Sequence, residues 1–137
     1  MDKELIVTNG CFDILHIGHV RLLNYAKSIA PKLVVLLNSD VSIKLLGKPP
    51  GRPINPEQHR KEFLLSLDAV DDVILFNEKN PSSLISQLMP GTYVKGADYS
   101  SVDFPESRLV RSYGGKVLFF DHTGHSTTNI IRLLGSL

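Results

Sequence analysis

Apolar residues occur along the chain in five short runs, separated by stretches in which apolar residues recur every three or four positions. The runs are continuous and rich in β-branched and aromatic residues, which is typical of strands covered on both faces. The predicted strands are residues 5–7, 33–37, 73–76, 93–94 and 117–120. Because strands alternate with helical stretches, we predict an α/β fold with a doubly wound, open parallel sheet of about five strands.

The helical stretches differ in length. The first predicted helix, residues 17–30, ends at Pro31 and directs inward Val20, Leu23, Ala26 and Ala30, with Leu22 and Ile29 beside them. A short helix should follow Asp40. Another should start near Pro56 and direct Phe63, Leu64 and Leu67 inward. The remaining predicted helices are residues 81–88, 106–113 and 126–134.

Length and charge narrow the class of protein. The chain has 137 residues, which suits a single domain over residues 1–137. It carries 15 Lys+Arg against 14 Asp+Glu, a balance that argues against a strongly basic nucleic-acid-binding protein. No apolar run approaches the ~20 residues that span a bilayer, and residues 1–4 lack the order of a signal peptide, so we expect no membrane partner. With one cysteine, Cys11, a disulfide within the chain is excluded, and a cytoplasmic location is the simplest expectation.

Ligands of doubly wound sheets bind beyond the carboxyl ends of the strands. In this chain those positions are residues 8–19, 38–44, 95–99 and 121–128. Residues 47–53 read Gly-Lys-Pro-Pro-Gly-Arg-Pro, a composition typical of turns. We call residues 47–53 the flap, and we expect a partly stiffened surface loop that carries two cations near the site.

The most informative segment is residues 8–19, which leave the first strand and enter the first helix. His16 and His19 are three residues apart at the helix start, so both can point into one crevice. Gly10 and Gly18 leave room for a ligand against the backbone, and the helix N-terminus favours a phosphate group. Two alternatives stay open, since the histidines could simply cap the helix, or could form a zinc site with Asp13.

The order Gly-Cys-Phe-Asp followed by His-Ile-Gly-His at residues 16–19 resembles the signature of the HxGH nucleotidyltransferase superfamily, whose fold is Rossmann-like. Within it, residues 6–134 resemble the adenylyltransferase domain of ADP-heptose synthases. The matching stretches are residues 8–20, 38–40, 52–56, 69–71, 94–99, 114–117 and 126–131.

The resemblance implies an enzyme that joins AMP from ATP to a sugar 1-phosphate, such as heptose 1-phosphate, and releases pyrophosphate. It implies Mg²⁺ accompanying ATP and a possible homodimer. The family domain is often fused to a sugar kinase, for which this chain is too short, so we expect a separate kinase. In-line attack on the α-phosphorus needs positioned donors rather than a covalent enzyme intermediate.

The resemblance also implies roles for individual residues. The catalytic residues are His16, His19 and Lys44. The nucleotide is bound by Thr8, Asn9, Gly10, Cys11, Phe12, Asp13, Gly18, Lys95, Gly96, Asp98, Ser126, Thr127 and Thr128. The acceptor is bound by Asp13, Asn38, Asp40, Lys44 and Arg52, and no protein metal site is assigned.

The chemistry of Asp13 and Cys11 makes their expected roles more specific. A bare carboxylate at position 13 would repel a triphosphate, so a cation should lie near Asp13, which should orient either that basic neighbour or a sugar-phosphate group. Nothing in the sequence indicates a low thiol pKa for Cys11, which fits a small buried hydrophobic residue better than a nucleophile.

The chain departs from the family pattern at two places. A second basic residue often follows the position of Lys44, whereas here Leu45, Leu46 and Gly47 separate Lys44 from Lys48, which could substitute for it. His125 stands where family members tend to have cysteine, and it could donate to a phosphate or merely fill space.

Two other functions compete with this one. A cytidylyltransferase acting on glycerol 3-phosphate would share the fold and the histidines, but it would have an Arg-Thr-x-Gly-Ile run where residues 121–125 read Asp-His-Thr-Gly-His. A nucleotide sensor without catalysis is the alternative of another class. A pure binder gains little from two histidine donors, which argues against it.

Overall fold

In the computed structural model, which describes residues 1–96 and 104–120, five strands form one fully parallel sheet. The strands are β1 (Asp2–Gly10), β2 (Lys32–Asn38), β3 (Asp72–Phe76), β4 (Pro90–Gly96) and β5 (Lys116–Phe120). The helices are α1 (Ile17–Ile29), α2 (Asp40–Leu45), α3 (Glu57–Leu65), α4 (Ser82–Leu88) and α5 (Pro105–Ser112). The predicted α/β fold with a doubly wound, Rossmann-like parallel sheet is confirmed.

The order of the strands places a crevice beside β1. The sheet runs β3-β2-β1-β4-β5, so the chain moves outward from β1 through β2 to β3 and then crosses to β4 on the opposite side. Ligands of open α/β sheets bind where the order reverses, beyond the carboxyl ends of the strands. In this sheet that point lies between Gly10 at the end of β1 and Gly96 at the end of β4.

Two apolar cores cover the two faces of the sheet. Along β1, Ile6 packs into the core under α1 and α3, whereas Leu5 and Val7 pack into the core under α4 and α5. Successive side chains of a strand point to opposite faces, and both sets are buried. This explains why the sequence shows a continuous apolar run at β1 rather than an alternating one.

The elements differ from their predictions mainly in extent and facing. Residues outside the apolar runs still pair in the sheet, so β1 begins at Asp2 and β4 at Pro90. In α1, Leu22, Leu23 and Ala26 are buried, while Val20 is half-buried and Ile29 is exposed.

In α3 the predicted inward position of Phe63 is wrong, because this side chain is 61% exposed. Leu64 is fully buried as predicted, and the other buried residue of this helix is Arg60.

The helix predicted at residues 126–134 lies outside the described residues, and the single domain over residues 1–137 stays a prediction. Among residues 1–96 and 104–120, no helix combines the length and the apolar character needed to cross a bilayer.

Candidate active site

The two histidines of the His-Ile-Gly-His motif meet at the first turn of α1. His16 is the N-cap, and its Nδ1 accepts the backbone N–H of Gly18 at 3.0 Å. In return, the backbone N–H of His16 donates to Nδ1 of His19 at 3.3 Å. The two rings stack with centroids 3.9 Å apart. The structure therefore brings the two predicted catalytic residues together.

The cap determines where each imidazole carries its proton. A neutral histidine that accepts at Nδ1 holds its hydrogen at Nε2. His16 and His19 both accept backbone N–H groups at Nδ1, so both present Nε2–H as a donor. The capping alternative is thus correct as far as it goes, but it uses only one nitrogen of each ring.

Phe12 supports this arrangement from the preceding loop. Its φ of 46° lies in the left-handed region, and its buried ring lies 5.1 Å from that of His19. A Cβ on Gly10 would come within 3.0 Å of the Phe12 ring. The space at Gly10 is therefore filled by the Phe12 ring, so packing within the protein, and not only ligand access, explains why this position needs a glycine.

Asp13 holds the flap against the β1–α1 loop. Its carboxylate is fully buried, and Oδ2 accepts Arg52 Nε at 3.0 Å and the backbone N–H of Ile54 at 2.8 Å. Oδ1 accepts the backbone N–H of Asn55 at 2.8 Å, and the Asn55 amide donates to the Asp13 carbonyl. The basic neighbour expected for Asp13 is therefore Arg52. Because donors from the flap side fill both oxygens, the carboxylate acts as an anchor here, and its predicted direct contact with ligand stays a prediction.

Arg60 is the functional candidate that the sequence interpretation missed. Its side chain is almost completely buried, yet it comes from α3 to meet three other segments. Nη1 donates to the carbonyls of Cys11 and Asn38 at 2.9 and 2.6 Å, and Nε donates to the Asn55 carbonyl at 2.9 Å. Nη2 pairs with Asp40 at 2.8 Å. The available signal was its spacing, since Arg60 lies one helical turn before the buried Leu64.

The predicted acceptor residues at the end of β2 belong to this same cluster. The buried Asn38 donates its amide to Ser42 at 3.0 Å, and the backbone N–H of Asp40 donates to Glu57 at 3.0 Å. Both residues also bind Arg60, so the structure joins β2, α2 and α3 behind the β1–α1 loop.

The two lysines that follow β2 differ in their positions, since Lys44 belongs to α2 and Lys48 to the flap. Lys44 is exposed in the last turn of α2. Burial raises the pKa of the Cys11 thiol, and the positive charges of Lys48, Arg60 and Arg52 partly oppose that rise. The raised pKa keeps the thiol protonated, as expected for a residue that is not a nucleophile. Lys48 acts on Cys11 from the flap, and its substitution for the second basic residue of the family stays a prediction.

On the other side of the crevice, a buried polar network joins β1, β4 and α5. The Lys95 ammonium pairs with Glu106 at 3.0 Å and lies 4.0 Å from the Phe104 ring centroid. The Tyr93 hydroxyl donates to the Asn9 side chain. Burial, followed by the charge and hydrogen bond of Glu106, raises the pKa of Tyr93 well above its usual value of about 10. Asn9 and Lys95, both predicted nucleotide contacts, are therefore fixed by protein partners.

Three more predicted residues have definite places. Thr8 is buried, and its hydroxyl donates to the Val94 carbonyl at 2.8 Å, so that side chain links β1 to β4. Gly18 is buried within the cap, and Gly96 is buried at the end of β4. The predicted nucleotide contacts Asp98, Ser126, Thr127 and Thr128, and also His125, lie outside the described residues.

An open cavity of about 730 Å³ lies next to the Asp13 anchor. It separates residues 12–15 from one face of α3, which presents His59, Glu62, Phe63 and Ser66. The alternative zinc site finds no support in the described part of the chain, where no three His, Cys, Asp or Glu side chains are grouped to hold a metal. Asp13 faces the flap instead.

Comparison with known families bears on this geometry. Residues 7–132 match the family described as cytidylyltransferase-like. The chain belongs to the cytidylyltransferase-like family. The resemblance to HxGH nucleotidyltransferases seen in the sequence is thereby confirmed.

Similar proteins of this family include two curated relatives named bifunctional protein HldE. The one from Syntrophotalea carbinolica is 47% identical over 94% of this chain and 26% of its own length. The one from Caulobacter vibrioides is 48% identical over 94% of this chain and 27% of its own length. The chain thus spans about a quarter of the length of these relatives.

Two solved structures share the fold of this family member. The lipopolysaccharide core biosynthesis protein from Thermoplasma volcanium GSS1 is 27% identical, with a TM-score of 0.70, and the match covers 85% of this chain and 96% of that one. A protein of unknown function from Archaeoglobus fulgidus has a TM-score of 0.62 at 15% identity, covering 93% of this chain and 94% of that one, which concerns the fold alone.

Proposed function

We propose that this chain is a nucleotidyltransferase that transfers AMP from ATP to a sugar 1-phosphate, with a heptose 1-phosphate as the acceptor. The observation that carries the proposal is the pair of Nε2–H donors of His16 and His19 at the start of α1. They lie where the strand order reverses, beside a helix N-terminus that favours phosphate. Identity of 47% to proteins named HldE supports the adenylyltransferase activity. The lipopolysaccharide core biosynthesis protein supports an acceptor of the cell-surface sugar class.

The residues fit the chemistry of this transfer. An oxygen of the acceptor phosphate attacks the α-phosphorus of ATP, the bond from that phosphorus to the bridging oxygen breaks, and pyrophosphate leaves with the electron pair. Negative charge grows on the equatorial and leaving oxygens. Two fixed N–H donors stabilise that charge without reorganising during the reaction, which is the usual basis of such catalysis.

Mg²⁺ belongs to the proposal as part of the substrate, carried by the triphosphate. The two carboxylates beside the β1–α1 loop, Asp13 and Asp40, are each paired with an arginine. A resident metal cluster is therefore not what these side chains favour, whereas a triphosphate can bring its own cation.

Two further expectations concern partners. A homodimer is implied by the resemblance and stays a proposal. The relatives are named bifunctional, and a second activity on the same polypeptide in them does not favour the separate sugar kinase that we expected from the sequence.

The test is a matrix of nucleotides against acceptor phosphates, with Mg²⁺ present and pyrophosphate release as the readout. We expect turnover with ATP and heptose 1-phosphate, and its loss in the double variant His16→Ala/His19→Ala. Turnover restricted to CTP and glycerol 3-phosphate would assign a cytidylyltransferase instead. Tight ATP binding without turnover on any acceptor would favour a sensor.

A further inference from the structure

Among the charged residues of the described chain, Arg60 combines deep burial with hydrogen bonds from every nitrogen of its guanidinium group. Only 2% of its surface is exposed, and each of its three guanidinium nitrogens donates a hydrogen bond. Three of the four bonds end on backbone carbonyls, so their geometry depends on where the main chain runs rather than on side-chain rotamers. A buried charge that is hydrogen-bonded at each of its nitrogens in this way specifies one arrangement of the segments around it.

The segments that Arg60 joins carry four residues predicted to bind the acceptor, which are Asp13, Asn38, Asp40 and Arg52. The Cys11 carbonyl belongs to the β1–α1 loop, two residues before Asp13. The Asn55 carbonyl follows the flap, and the backbone N–H of the same residue donates to Asp13. Arg60 and Asp13 therefore both bind the backbone of Asn55, Arg60 at its carbonyl and Asp13 at its N–H.

The histidine pair is held by a different device. His16 and His19 are fixed by the reciprocal cap within α1, whereas the hydrogen bonds of Arg60 end on Cys11, Asn38, Asp40 and Asn55. Arg52, the cation paired with Asp13, belongs to the flap and lies three residues before Asn55, which Arg60 binds. A change at Arg60 should therefore move Arg52 more than it moves the histidines.

We propose that Arg60 is a positioning residue that sets the flap and Arg52 against the β1–α1 loop, and thereby governs binding of the acceptor phosphate rather than of ATP. Arg60 does not touch substrate in this proposal and acts through Asn55, Asp13 and Arg52. The proposal rests on the proposed function for its choice of acceptor, but the predicted movement of the flap does not depend on the reaction.

The kinetic test compares Arg60→Lys with the matched control Lys61→Met on the same helix. Lysine keeps the charge but presents one nitrogen, which cannot span carbonyls of separate segments. Because the proposal places the effect in binding of the acceptor, we expect Arg60→Lys to raise the KM for the acceptor at least about tenfold and the KM for ATP less than about twofold. The control should leave both unchanged.

A second measurement works even if the wild-type chain turns over no tested pair, which would refute the proposed function alone. Hydrogen exchange should quicken about tenfold or more at Ile54 and Asn55 in Arg60→Lys, because their N–H groups donate to Asp13, while β1 keeps its protection. Equal rises in both KM values, no change in either KM, unchanged exchange at Ile54 and Asn55, or loss of the fold in the melting curve would each overturn the positioning role.

Discussion

Two aspartates have the same kinds of partner, a cation and backbone N–H groups, but differ in burial. One lies where the strands end, the carboxyl edge of the sheet, and the other where they begin, the amino edge. Asp13, after the carboxyl end of β1, binds Arg52 and two backbone N–H groups. Asp71, just before β3, binds Lys27 at 2.5 Å and the backbone N–H of Leu33 at 2.7 Å. The Asp13 side chain is 0% exposed and that of Arg52 11%, whereas Asp71 and Lys27 are 35% and 33% exposed.

The difference shows how burial sets the consequence of one motif. At the exposed edge, water screens the ion pair and can replace it, so the pair contributes little. At the buried edge, water cannot replace a lost hydrogen-bond partner, so removing one group leaves the others unsatisfied. Substitutions at the carboxyl edge of the sheet should therefore affect both structure and activity. Matching substitutions at the amino edge serve as controls within the same protein.

The largest effect is expected at the histidines. His16→Ala and His19→Ala should each lower kcat by about 10² to 10³, the scale of one lost oxyanion donor. His16→Ala also removes the N-cap of α1 and should reduce the free energy of unfolding by about 1 kcal/mol. Steady-state kinetics and urea unfolding would separate the two effects. Full activity in both variants would refute the proposed mechanism and would remove the contrast between the two edges.

The next effect is expected at the buried aspartate. Asp13→Asn places a donor against Arg52 and the backbone N–H groups of Ile54 and Asn55, so the free energy of unfolding should fall by about 1–3 kcal/mol. The KM for the acceptor should rise at the same time. Urea denaturation of Asp13→Asn beside Asp71→Asn makes the comparison direct, and an equal loss in the two variants would show that burial does not distinguish the edges.

A smaller effect should separate the two lysines. A charge about 4 Å from a phosphate contributes about 1 kcal/mol in water, so Lys48→Met should lower kcat/KM roughly fivefold. Lys44→Met serves as the matched variant, because Lys44 is exposed on α2 and its charge does not figure among those acting on Cys11. A larger loss in Lys44→Met would return the phosphate contact to the position that the family resemblance predicts.

The smallest effect is expected at the exposed aspartate, and it should depend on pH. The Lys27 hydrogen bond, followed by that of Leu33, lowers the pKa of Asp71 below its usual value. Its stabilisation is therefore fully present above the unfolded pKa of about 3.9 and is lost as the pH falls through the lower, folded pKa. We expect Asp71→Asn to cost about 0.5 kcal/mol at pH 7, after allowance for screening, and nothing in strong acid. Unfolding curves from pH 7 down to pH 2 would show whether the difference persists.

The sequence predicts the parts of the fold that depend on local periodicity. The five strands, the first helix and the position of the histidine motif all follow from apolar runs and from spacing. The need for a cation at Asp13 also followed, because a bare carboxylate beside a triphosphate is repulsive. That the cation is Arg52, 39 residues away, depends on how the flap folds back and could not be read locally.

Burial of polar residues escapes this kind of prediction. Composition places phenylalanine inside and arginine outside, but α3 does the reverse with Phe63 and Arg60. Arg60 is buried because acceptors from two remote segments, at Cys11 and at residues 38–40, converge on it, and no pattern within the helix records them. Glu106 is similar, since its partner Lys95 lies across the sheet edge on β4.

The place of β1 in the middle of the sheet has a consequence for the order of synthesis. β1 leaves the ribosome well before one of its two neighbours, β4, which begins only at Pro90. Until then the strand that leads into the histidines has a bare edge able to pair with another chain. A stalled or truncated polypeptide ending before β4 should therefore be prone to aggregate, and nascent chains of this length would be natural clients of a chaperone.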